Sequence, residues 1–123
     1  MSSTQYIFIG AGLFFLFIFF SGFWLSRSGK PYGTAIFTTH KLVGLVAGGF
    51  LVMTVYRVYQ EGIFLPIQIA AIAITLFLFI LIVAAGGLLS TEKQMPLVVT
   101  LVHRILPYLT ALSTGGTLYL LLV

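Results

Sequence analysis

Four apolar runs, at roughly 6–25, 35–56, 63–89 and 96–123, are separated by short segments rich in charge and in turn-forming Gly and Pro. Each run meets the length of about 20 residues that a helix needs to cross hydrocarbon. Within the runs the apolar positions show no strand-like alternation, and apolar side chains occupy nearly every side of the implied helices. That pattern suits lipid contact on the outside and helix contact within. The spacing predicts an all-α integral membrane protein, a four-transmembrane-helix bundle formed by one domain over 1–123. The runs leave no room for a soluble domain.

The first run resembles a secretion signal only in position. Its leader, residues 1–5, carries no Lys or Arg, and the apolar stretch outruns the usual 7 to 15 residues, so a permanent helix is expected. Composition agrees with a membrane chain: 60% of the residues are hydrophobic and 7% charged, whereas a soluble domain has about a quarter charged. There is no cysteine, which excludes disulfides, iron–sulfur clusters, thiolate zinc sites and thioether-linked haem.

The net charge of +4 is distributed unevenly. Arg27 and Lys30 lie between runs 1 and 2, Lys41 just inside run 2, Lys93 between runs 3 and 4, and Arg104 near the start of run 4. Only Arg57, beside Glu61, belongs to the other face. The positive-inside rule then predicts both termini outside and the basic face in the cytoplasm, in a prokaryotic cytoplasmic membrane. Nucleic-acid binding would need a denser basic surface. Trp24 and Tyr32 at one edge, and Tyr56 and Tyr59 at the other, fit interfacial aromatic belts.

The chain has two histidines, His40 and His103. Both fall near the basic ends of runs 2 and 4, about 7 Å and 10 Å beyond the expected helix starts at 1.5 Å per residue. Two imidazoles at matched depth on parallel helices form a candidate pair of axial ligands. The surrounding segments are similar: Thr39-His40-Lys41-Leu42-Val43 against Val102-His103-Arg104-Ile105-Leu106, each after a proline-containing loop. Tyr56 and Tyr119 each fall sixteen residues beyond their histidine. The match suggests two pseudo-symmetric helix pairs related by an axis along the membrane normal.

On the face of His40 lie Gly44 and Gly48, at i+4 and i+8, which would clear space for a porphyrin edge or serve as a small-residue helix contact. Pro107 and Ala111 hold the equivalent positions after His103. Lys41 and Arg104 point roughly 100° away from their histidines and can snorkel to the surface. There they would pair with haem propionates, with Arg27, Lys30 and Lys93 as further candidates, or act as topology signals alone. The phenylalanines of run 1 read as packing or lipid-facing bulk. In run 3 Gln68 and Thr75 are the notable polar groups, and 84–87 permits close backbone approach.

With His40 and His103 as metal ligands in a four-helix chain, the sequence resembles the membrane b-type cytochromes, including the four-helix haem-binding anchor subunits of quinone-linked oxidoreductases. The resemblance implies one non-covalent haem b per chain, electron transfer within or at the membrane, and exchange with a quinone or a redox protein. The chain lacks the second histidine pair of di-haem members. A homodimer or a larger complex is compatible with this reading.

Two other classes compete. A small transporter fits the size, but a proton-coupled exporter is expected to carry an acidic residue inside a helix, and the sequence reading places neither Glu61 nor Glu92 there. A structural or assembly subunit would use the histidines as interhelical hydrogen-bonding groups. Histidine-only zinc binding is weak with two imidazoles, and no nucleophile, base and orienting acid fall on one face.

Overall fold

The computed structural model describes residues 2–91 and 93–123, and among these the regular structure is helical: α1 (Ser3–Ser28), α2 (Thr34–Glu61), α3 (Pro66–Leu89) and α4 (Leu97–Leu122). All four are long and apolar enough to cross a membrane, as an integral multi-pass protein requires. Helices of 24 to 28 residues span about 36–42 Å, enough for a hydrocarbon core of about 30 Å with turns to spare at the polar edges.

α1 and α2 extend beyond their apolar runs, whereas α3 and α4 stay within theirs. The Ser2 hydroxyl accepts from the Gln5 backbone N–H at 3.3 Å, and the Gln5 side chain accepts from Ser2 N–H at 2.9 Å. This reciprocal box starts α1 before Tyr6. The helix stops at Gly29, whose φ of 69° is open to glycine at little cost, while its N–H still bonds Leu25 O at 3.0 Å. Pro66 opens α3, where its missing N–H is not needed. Ile63, placed in the third run by hydropathy, lies outside the helix and is 97% exposed. One sequence expectation is corrected: α2 continues through Glu61, so that carboxylate belongs to a helix, as its last and exposed residue. Glu92 lies outside the described residues.

The chain divides into two compact units, one ending at Val58 and the other running from Tyr59 to Val123. In the first, α1 and α2 pack antiparallel. Phe14 meets Phe50 with ring centroids 5.5 Å apart, and a methyl carbon on Gly10 would lie 3.5 Å from the Phe50 ring. Of the other six α1 phenylalanines, Phe17, Phe20 and Phe23 are exposed, as lipid-facing bulk should be, and Phe8, Phe15 and Phe19 are half-buried.

The second unit pairs α3 and α4 antiparallel through polar contacts. Gln68 Nε2 donates to Leu120 O at 3.0 Å, near the end of α4. Deeper in, the fully buried Thr75 donates to Ala71 O at 2.8 Å, and its oxygen lies 2.5 Å from Ser113 Oγ and 2.8 Å from Thr117 Oγ1. Lipid drives helix association weakly, so such bonds matter. Thr75→Val, which keeps the shape and removes the hydroxyl, should weaken this pairing by about 1 kcal/mol, on a scale where membrane hydrogen bonds average about 0.6 and reach about 1.7. Unfolding in mixed micelles at rising SDS fraction measures the effect. An unchanged midpoint would show that the hydroxyl cluster contributes nothing.

Candidate functional site

Each unit carries one histidine on its second helix, and each histidine is the seventh residue of that helix, counted from Thr34 and from Leu97. At 1.5 Å per residue each lies about 9 Å along its own helix. Both side chains are half-buried.

In the first unit the His40 ring rests on Gly22 of α1, where an added methyl carbon would come within 3.0 Å of Cε1. Its Nδ1 lies 2.8 Å from the Ser21 hydroxyl. Ser21 in turn bonds back to its own helix, 2.7 Å from Phe17 O and 3.2 Å from Ile18 O. In the second unit the His103 ring rests on Gly86 of α3, where the added carbon would come within 2.9 Å of Cε1. Its Nδ1 donates to Ile82 O at 3.2 Å. A carbonyl only accepts, so this bond places the His103 proton on Nδ1 and leaves the lone pair of the neutral ring on Nε2.

Sequence reasoning missed Ser21, Gly22, Ile82 and Gly86 as neighbours of the histidines. A partial signal was present: Gly22 lies as far before the turn between α1 and α2 as His40 lies after it, and Gly86 precedes His103 by a similar interval, seventeen residues against eighteen. In an antiparallel hairpin such positions meet.

The register extends along the helices. The 63-residue interval from His40 to His103 also carries Ala47, Leu51 and Thr54 of α2 onto Thr110, Thr114 and Thr117 of α4, and all six are buried. The threonine stripe is a polar feature that hydropathy concealed. Thr110 bonds back to Leu106 O at 2.8 Å, whereas the buried Thr114 hydroxyl has no hydrogen-bond partner among the described residues. Pro107 sits inside α4, and the backbone donor it lacks is the one that would have reached the carbonyl of His103.

The other expected site residues stand as follows. Gly44 and Gly48 lie on α2 and are half-buried, and a methyl carbon added to Gly44 would meet nothing within 4 Å, so that glycine borders open space. Lys41 and Arg104 are exposed, next to their histidines, and Lys41 Nζ lies 6.0 Å from the centroid of Phe37. Arg27 likewise stands 5.6 Å from the Phe23 ring. Both cations therefore lay their stems along aromatic surface near the helix ends.

The donor chemistry suits a metal bound by imidazole. A ring nitrogen bonded into the scaffold is the usual outer support of a ligating histidine, fixing both its orientation and which nitrogen faces the metal. No family model matches the chain, and no curated protein and no solved structure is significantly similar to it.

Proposed function

We propose that this chain is a b-type cytochrome of the membrane, in which His40 and His103 are the two axial ligands of one non-covalent haem b. The observation that carries the proposal is the equal preparation of the two rings. Each stands at the seventh position of its helix, seated on a glycine and hydrogen-bonded through Nδ1 to the preceding helix. One haem held by both histidines would require both rings to reach it.

When bound, the haem would supply one-electron redox chemistry, and its being held by the imidazoles of both His40 and His103 would favour electron transfer over oxygen binding. The chain's own residues hold and shape the site. The histidines would present their Nε2 atoms, Gly44, which borders open space, and Gly48 would take the porphyrin edge on the His40 face, and Lys41 and Arg104 would offer cations to the propionates. The basic residues support an orientation with both termini outside and the ligands toward the cytoplasm. Such a centre exchanges electrons with a quinone or a redox protein on that side. A single haem there leaves much of a core about 30 Å thick unspanned, so passage across the bilayer requires another subunit or a second copy.

The test is optical. Full-length protein purified from haem-sufficient cells should show a low-spin b-type spectrum on dithionite reduction, with one haem per chain extracted by acidified acetone. Protein lacking a Soret band, and giving no spectral response to added hemin, would be a structural or transport protein instead.

A further inference from the structure

The two histidines reach their supporting helices by different routes. His103 Nδ1 bonds the backbone carbonyl of Ile82 directly, and Ala85, three residues on, has no polar side chain to intervene. The corresponding stretch of α1 is Ile18 to Gly22, which matches Ile82 to Gly86 at a constant interval of 64 residues, with Ser21 standing where α3 has Ala85. Ser21 is buried, 8% exposed, and sits between His40 Nδ1 and the carbonyls of Phe17 and Ile18.

The hydroxyl has one proton. Its 2.7 Å contact with Phe17 O can only be a donation from Ser21, because a carbonyl has no proton to give. The Ser21 oxygen is then an acceptor toward His40, and Nδ1 must carry the hydrogen of the 2.8 Å bond. The network thus assigns the position of a proton that geometry alone does not show.

We propose that Ser21 is a positioning residue for His40. Its hydroxyl relays the α1 backbone to the imidazole, holding the proton on Nδ1 and turning Nε2 outward, the state that His103 reaches through Ile82 without an intermediary. The significance of this for iron rests on the cytochrome reading; the position of the proton does not. In a haem-loaded protein the two ligands are then unequal, one supported by a peptide carbonyl and the other by a hydroxyl. A stronger acceptor at Nδ1 makes a more basic ligand, which favours ferric iron.

The experiment uses full-length protein with ¹⁵N-labelled histidine in detergent micelles, prepared with and without haem, at alkaline pH so that both rings are neutral. Two-bond ¹H–¹⁵N correlations distinguish the tautomers. In the haem-free wild type both histidines should show the Nδ1–H pattern. Ser21→Ala should convert His40 to the Nε2–H form or to a mixture and leave His103 unchanged, and Ser21→Thr should restore the wild-type pattern. In the haem-loaded protein Ser21→Ala should raise the midpoint potential, with Ser21→Thr returning it toward the wild-type value. A His40 that remains wholly Nδ1–H in Ser21→Ala, or that is Nε2–H in the wild type, overturns the role of Ser21 whether or not haem binds. A tautomer change in protein that never takes up haem upholds that role and refutes the cytochrome reading.

Discussion

Replacing either His40 or His103 with alanine is expected to abolish the low-spin haem spectrum, with haem affinity falling by more than about 100-fold, since loss of a mere outer-shell partner costs about 10- to 100-fold. The two substitutions should have comparable effects, because the two rings are prepared alike: same helical position, same glycine seat, same ring nitrogen held. Amounts of membrane-inserted protein should hold up, as alanine is compatible with a spanning helix and removes a polar ring from it. Haem content per chain and the reduced spectrum are the measurements. If one variant retains the wild-type spectrum and midpoint potential, that histidine is not a ligand and the bis-imidazole proposal fails.

The second large effect concerns the glycines, and two kinds should separate. Leucine at Gly86 would put its first side-chain carbon 2.9 Å from His103 Cε1, and at Gly22 3.0 Å from His40 Cε1. The ring or the helix must then move. Both variants should lose haem and also resistance of the haem-free protein to SDS, with overpacking costing about 1–3 kcal/mol. Gly44→Leu is different, because among the described residues nothing beyond its own stretch of helix lies within 4 Å of a carbon added there. It should leave haem-free stability near wild type and lower haem occupancy alone. Gly87→Leu, beside Gly86 but bordering open space, should change neither. Full haem content in Gly44→Leu would remove that residue from the site, and an unaffected Gly86→Leu would contradict the packing of His103.

What could be read from the sequence, and what could not, follows from the range of each interaction. Helix number and type came from apolar run length, and the positions of His40 and His103 along their own helices from distance to the run edges. Both are local properties. Gly44 and Gly48 could be placed on the helix face of His40 because i+4 and i+8 fix neighbours on one helix. Gly22, Ser21 and Gly86 were missed because their meeting with a histidine depends on how two helices slide past each other. That sliding is set by the turns at Gly29 and near Ser90, whose geometry hydropathy does not encode. Thr110 was overlooked for another reason: a threonine that bonds back to its own helix, as Thr110 does to Leu106 O, passes as nearly apolar on any scale. Glu61 was placed outside a helix because charge was taken as the end of the run, whereas backbone hydrogen bonding continues to the membrane edge and beyond it.

The pairing of α3 with α4 also bears on how the chain enters the bilayer during synthesis. Alone, α4 would bring His103 and several hydroxyls into lipid, where each unmet polar group is costly. Beside α3 much of that burden is answered, by Thr75 for Ser113 and Thr117 and by the Ile82 carbonyl for His103. Ser21 does the same for His40 in the earlier pair. Biogenesis is therefore favoured two helices at a time, each leading segment waiting at the translocon for the one that follows, so that a finished hairpin rather than a single helix is released into the membrane.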